Sequence, residues 1–289
     1  MYLKIGLSLV VLIGLVVGLW FLGERGKLLL PSTRELFRAG GRVHSYIYCR
    51  WPVQYIKYLA ALLIGLRGKQ WFADTYHSKV ITTTQAKSLI SIKQDIPLQD
   101  LEQVIPYPTA REIVLTNPLD IVVIECPCRA GKANPCQPSQ VCMIIGQPFT
   151  DFMLEHHGAT SRRITQEEAL ALLEEVHQRG WVHTAWFKEA CLGRFYAICN
   201  CCKCCCGSIG AMVKYGIPMI SPSGYRAEMQ PSKCVQCGIC AKVCAFNAIT
   251  SDYQIIEEKC VGCGACTAKC PKDAIKLVRD ERKGIPLAV

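Results

Sequence analysis

The chain has no G-x-G-x-x-G behind a strand, no phosphate-binding Gly-Lys-Ser/Thr loop, no Cys-x-x-Cys-His and no metalloprotease motif. Nothing in it therefore argues for a nucleotide, a nicotinamide, a flavin, a haem or a zinc hydrolase. Acidic residues are also short: 23 Asp and Glu face 33 Lys and Arg, a net charge of +10. No charge at all falls between residues 5 and 23. Against these absences stands one excess, 20 cysteines in 289 residues. In a secreted chain that number would suggest a disulfide framework, but the spacing here is metal spacing, which calls for a reducing compartment.

Eight of the cysteines form two copies of C-x2-C-x2-C-x3-C: Cys234, Cys237, Cys240 and Cys244, then Cys260, Cys263, Cys266 and Cys270. The copies lie 26 residues apart, and Lys233/Lys259, Val235/Val261, Gly238/Gly264 and Ala248-Ile249/Ala274-Ile275 repeat with them. Three thiols at this spacing wrap one side of an iron–sulfur cubane, and in two-cluster proteins the fourth comes from the other copy. Cys234, Cys237 and Cys240 are thereby expected to share a cluster with Cys270, and Cys260, Cys263 and Cys266 one with Cys244. Structural zinc instead pairs two separated C-x2-C knuckles.

This stretch, about Pro231 to Leu277, resembles the bacterial-type ferredoxins that carry two [4Fe–4S] clusters. The resemblance implies a small pseudo-twofold α+β module that moves one electron at a time and performs no bond chemistry. Ala245 stands where that family often has the proline matched here by Pro271, which removes no ligand.

Ten further cysteines fall into two upstream groups: Cys126, Cys128, Cys136 and Cys142, then Cys199, Cys201, Cys202, Cys204, Cys205 and Cys206. All ten are candidate metal ligands, because that many free thiols would be prone to oxidation. Neighbouring side chains point in different directions, so the six-cysteine run is expected to pass between two centres. The simplest count is two more cubanes with two thiols left over. One cluster plus a redox-active thiol pair, and an unusual cluster with more than four cysteine ligands, remain open beside it, as does zinc. No catalytic residue is singled out. His77, His156, His157, His177 and His183 are read as structural.

Ile5 to Gly23 is long enough, at about 28 Å as a helix, to cross a bilayer core. It has no convincing cleavage site, and Trp20-Phe21 stands at interface depth. Residues 24–70 hold nine Lys/Arg against Glu24 and Glu35. Directly after an apolar span such a block points to anionic lipid rather than nucleic acid, and it places the bulk of the chain in the cytoplasm. The stretch 51–69 reads either as an interfacial amphipathic helix or as a buried one.

Elsewhere, Thr84 to Ile90 and Pro108 to Leu115 are expected as helices. Ile121 to Ile124, Trp181 to His183 and Phe195 to Ile198 are expected as strands. Thr165-x-x-Glu168 is a capping box opening a helix that stops at Gly180, and Asp280 to Val289 looks like an extended tail.

The expected fold class is α+β: an N-terminal transmembrane helix (1–23), a basic juxtamembrane segment (24–71), a small α/β cysteine-rich domain (72–224) and a C-terminal ferredoxin-like dicluster domain (225–289). The expected cofactors are two [4Fe–4S] clusters in 234–270 and one or two further iron–sulfur clusters in 126–206. The expected function is single-electron transfer between a low-potential carrier and a membrane redox partner. Membrane lipid and redox proteins, a membrane oxidoreductase complex among them, are the expected partners. The alternative is a reductase with a substrate-facing site in Cys126–Cys206.

Overall fold

The run Ile121-Val122-Val123-Ile124 is β-branched throughout and buried on both sides, which suits a strand covered by layers above and below. In the computed structural model, which describes residues 14–91, 96–98, 113–115 and 119–287, it lies second from one edge of a seven-stranded sheet. The strands are β1 (Tyr76–Ile81), β2 (Ile96–Leu98), β3 (Ile113–Leu115), β4 (Ile121–Glu125), β5 (Gln140–Ile145), β6 (Ser161–Ile164), β7 (Val182–Lys188), β8 (Phe195–Cys201), β9 (Ile220–Ser221), β10 (Tyr225–Met229) and β11 (Ile275–Arg279). The large sheet runs β6-β4-β5-β8-β7-β1-β9 and is antiparallel except for β1 against β9.

Side chains alternate across a strand, so β4 sends Val122 and Ile124 to one core and Ile121 and Val123 to another. The second core is closed by helices Thr83–Ile90 and Gln166–Gln178 through Leu89, Ile90, Ala169 and Leu173. Both helices start on capping boxes, at Thr82 and Thr165, and Gly180 follows the second with φ +75°. The first core is closed by Phe149 and Phe152 of helix Phe149–His157, by Ile209 of helix Gly207–Tyr215, and by the N-terminal helices.

Residues 24–71 thus do more than carry charge. Helices Pro31–Arg38 and Val43–Arg50 and the helical run 52–67 put Leu36, Tyr46, Tyr48, Cys49 and Tyr55 into the same core as β4 and β5. The stretch 51–69 is two-faced. Tyr55, Ile56, Ala60 and Ile64 turn inward to a cavity, while Tyr58, Leu62 and Leu66 are exposed.

Residues 14–23 are helical, and the remainder of the expected 5–23 span lies outside the described residues. Among the described residues no helix is long and apolar enough to cross a membrane. The α+β content stands, while the transmembrane helix finds no support in the described part. Pro108 to Leu115 departs from expectation as well. Ile113–Leu115 is a strand paired antiparallel with Ile96–Leu98, and residues 108–112 lie outside the description. Two consecutive β-branched residues, Ile113 and Val114, favour that outcome.

The C-terminal module is a second sheet, β10 against β11, with Tyr225 opposite Arg279 and Met229 opposite Ile275. Two short helices, Ile239–Val243 and Ala265–Ala268, start from Gly238 and Gly264 at φ +75° and +79°. The residues after it are not a free tail. Leu287 is buried in the second core of the large sheet, and Gln85 Nε2 donates to its carbonyl at 3.0 Å.

Candidate metal centres

Each half of the C-terminal module encloses a small cavity. One is lined by Cys234, Cys237, Cys240 and Cys270, the other by Cys244, Cys260, Cys263 and Cys266. The exchange of the fourth thiol between copies is therefore present in the fold. Backbone N–H groups point at the sulfurs: Ala248 donates to Cys244 and Ala274 to Cys270, both at 3.2 Å, and Ala227 to Cys260 at 3.4 Å. Such donors stabilise thiolate ligands and tune a cluster's potential. Burial raises the thiols of Cys240, Cys263 and Cys266, that of Cys263 to about 12. They would stay protonated without a cationic centre, so the site fits a group that supplies one. Gly262, φ +65°, is forced by proximity, since a Cβ there would stand 2.1 Å from the carbonyl oxygen of Tyr225.

The two halves are not equally placed. Cys237 is exposed, whereas Ala245, Phe246 and Val261 beside the second cavity are buried in the first core of the large sheet. Ala245, at the position where bacterial-type ferredoxins often have a proline, is part of that contact.

Upstream, the sheet brings the two cysteine loops together. β4 leads into Cys126, β5 carries Cys142 opposite Ile124, and β8 carries Cys199 and Cys201 on one face with Asn200 on the other. The turn after β8 brings Cys206 to the start of helix Gly207–Tyr215, and a Cβ on Gly207 would stand 3.5 Å from the Cys128 sulfur. The loop after Cys128 carries Cys136 to the turn 202–205. Its Sγ lies 3.2 Å from that of Cys202 and 3.6 Å from that of Cys205. The Sγ atoms of Cys136, Cys202, Cys204 and Cys205 all lie within 4.8 Å of one another, a donor set that fits a thiophilic metal centre.

Arg129 locks this arrangement. It is buried, and its guanidinium donates to the carbonyls of Pro138 and, at 3.1 Å, of Asn200. It also stacks 3.9 Å above the ring of Trp181. The thiols around Arg129, Cys202 first among them, raise its pKa against the opposing effect of burial.

A cavity of about 410 Å³ opens beside nine of the ten upstream thiols. Its far wall is aromatic: Tyr48, Tyr55, Tyr76, Trp186 and Tyr196 surround the buried Lys188, whose Nζ sits 4.2 Å over the Tyr48 ring. Lys188 donates to the Tyr48 hydroxyl, which lies 3.0 Å from that of Tyr196. Burial lowers the Lys188 pKa, partly offset by the surrounding cysteines. Sequence reasoning missed Lys188 and these tyrosines, because a lone lysine closing an apolar strand carries no motif. Cys49 and Cys191, left out of the ligand set, are fully buried and face each other.

Five histidines meet neighbours within the protein. His156 meets Thr33 at 2.9 Å, His157 the Cys49 carbonyl at 2.9 Å, His177 Thr83 at 2.7 Å, and His183 Asn200 at 2.7 Å. His77 stacks on Phe187.

Models of 4Fe–4S binding domains match the chain twice, at residues 226–249 and 253–276. No curated protein and no solved structure matches the chain. The C-terminal module accordingly binds two [4Fe–4S] clusters, and the upstream thiols, with the four around Cys136, fit further iron–sulfur sites.

Proposed function

We propose that this protein is a multi-cluster electron carrier at a membrane surface, passing single electrons between a low-potential soluble carrier and a membrane redox partner. The observation that carries the reading is the asymmetry of the C-terminal module. The half with Cys237 faces solvent, where a soluble carrier can dock. The half with Cys244 and Cys263 is packed on the core that also contains Cys126, Cys201 and Cys206. The clusters supply one-electron redox chemistry, and in this reading the chain holds them in series.

Contacts hold the two parts in register. Lys203 Nζ donates to the Lys242 carbonyl at 3.2 Å, Lys269 Nζ to the Gln178 carbonyl at 3.0 Å, and Gly180 abuts Val243. In this reading Cys234, Cys237, Cys240 and Cys270 hold the outer cluster, and Cys244, Cys260, Cys263 and Cys266 the inner one. Iron and acid-labile sulfide on anaerobically purified protein test it. Iron beyond the module's two clusters is expected, and iron for the module alone, or zinc upstream, refutes the relay.

Membrane association rests on exposed apolar side chains: Leu15, Val16, Leu19 and Leu22 on residues 14–23, then Tyr58, Leu62 and Leu66 at four-residue spacing. The nine basic residues of 24–70 supply attraction to anionic lipid and favour the cytoplasmic face. Nucleic acid has no part in this reading.

The cavity walled by Lys188 and tyrosines favours a second reading, an iron–sulfur reductase whose substrate is held there. Lys188→Met separates the two. An electron carrier keeps its transfer rate to an artificial acceptor, whereas a reductase loses turnover with cluster content unchanged.

A further inference from the structure

The ten upstream thiols fall into two sets by position. Four of them, Cys136, Cys202, Cys204 and Cys205, form the self-contained group described above. The other six close a ring. Cys142 of β5 pairs with Ile124 of β4, two residues before Cys126. Met143 pairs with Ile198, which sets Cys142 beside Cys199, and a Cβ on Gly207, the residue after Cys206, would stand 3.5 Å from the Cys128 sulfur. Cys201 in turn faces Cys199 from the same side of β8. All six thus line one cavity, and none stands apart as a spare.

The elements dictate this. β4, β5 and β8 are adjacent in the sheet, so their thiols come from three directions onto one end of it. Cys128 and Cys206 cap the opening from the two loops that follow. Four of the six, Cys126, Cys142, Cys201 and Cys206, are buried. Six thiolates converging in such a place need several positive charges. Arg129 supplies one, and one tetrahedral ion would take only four of the ligands.

Counting terminal ligands leads to a specific composition. Two cubanes present about eight iron corners, each needing one terminal ligand. Six thiolates satisfy six of them, and one sulfide shared between the cubanes satisfies the remaining two. We propose that Cys126, Cys128, Cys142, Cys199, Cys201 and Cys206 together hold one such fused iron–sulfur cluster, distinct from a separate centre on Cys136, Cys202, Cys204 and Cys205. This rests on the reading that the upstream thiols carry iron–sulfur clusters.

Native mass spectrometry of the full-length holoprotein, counting iron, sulfide and zinc on one chain, tests it. In the double variant Cys136→Ser/Cys204→Ser, which empties the four-thiol centre, about sixteen irons are expected, shared between the C-terminal module and the ring. About twelve irons or fewer overturns the fused cluster, because the ring then holds at most an ordinary cubane. About eight means that the upstream iron–sulfur reading itself has failed.

If that variant does not fold, the unsubstituted chain decides. More than about sixteen irons, or about sixteen with one zinc, is expected, and about sixteen without zinc or any smaller number overturns the proposal. Single serine variants give an independent readout. Each of the six ring positions is expected to alter the same Mössbauer signature, and any two that leave it and the iron count unchanged are spares, which also overturns the assignment.

Discussion

At Gly262 a methyl group would meet the Tyr225 carbonyl at 2.1 Å and the Ser223 hydroxyl at 2.5 Å, on a backbone already at φ +65°. Gly238 has nearly the same backbone, φ +75°, but nothing within 4 Å of its missing Cβ. The pair separates steric exclusion from backbone preference. Gly238→Ala is expected to cost about 1 kcal/mol, and Gly262→Ala about 3 kcal/mol or more. The temperature at which visible iron–sulfur absorbance is lost should fall several degrees further in the second variant, and equal losses would refute the distinction. Arg129 is the other singular residue. Arg129→Gln keeps hydrogen-bonding capacity but loses the charge and the stack on Trp181. It should release iron from the upstream centres on chelator challenge while sparing the C-terminal module.

The C-terminal module is legible from residue spacing alone, because its ligands sit in short loops whose geometry is local. The ring of six is not legible in the same way. Cys126, Cys142, Cys199 and Cys201 meet only because β4, β5 and β8 pair in that order, and strand order is not written in any one segment. The alternation of strand side chains foreshadows the separation of Cys199 and Cys201 from Cys202, Cys204 and Cys205. It does not name their partners.

Among elements, helix Pro31–Arg38 has the most conditional attachment. Glu24 is fully buried and accepts from the Thr33 hydroxyl at 2.9 Å and from the Leu30 N–H at 2.5 Å. Thr33 also meets His156 Nε2 at 2.9 Å, and that nitrogen lies 3.9 Å from Glu24. Burial, with help from Arg50 and His157, lowers the His156 pKa from 6.5 to about 4. A folded-state value below the unfolded one favours the neutral ring. Its stabilising contribution is complete above about pH 6.5, is lost as pH falls, and is gone by about pH 4.

The expected consequence is faster amide exchange in Pro31–Arg38 at pH 5 than at pH 7.5, after correction for intrinsic rates. His156→Asn should flatten that dependence, and persistence of the full dependence in the variant would exclude the histidine. The capping box at Thr165 is readable for a related reason: a cap is a contact between residues three apart. Ile113–Leu115 reads as helix in sequence because its partner, Ile96–Leu98, lies far enough away for local pattern to favour the wrong period.

For the whole molecule the N-terminal helix is a part of the fold, and the proposed membrane attachment can be tested apart from it. Trp20 packs on Tyr46 at 4.8 Å between ring centroids, and Arg50 holds the Gly23 carbonyl at 2.9 Å. Removing residues 1–17 should therefore spare the core, whereas cutting past Trp20 should not. In flotation with anionic vesicles the full chain is expected in the lipid fraction. The shortened chain is expected to bind more weakly and to detach in high salt, since basic residues and the Tyr58–Leu62–Leu66 row remain. Equal flotation of both would remove residues 1–17 from the attachment.

Trp181 occupies an unusual station in this molecule. Arg129 covers one side of its indole among the upstream cysteines, and the adjacent Gly180 touches Val243, next to Cys244. An indole between two strongly absorbing iron–sulfur centres would be a dark one. Its emission should be extinguished while both are present and recover stepwise as each is stripped. Comparison with Trp181→Phe isolates that signal from the other tryptophans, which gives the protein an internal optical gauge of its own loading.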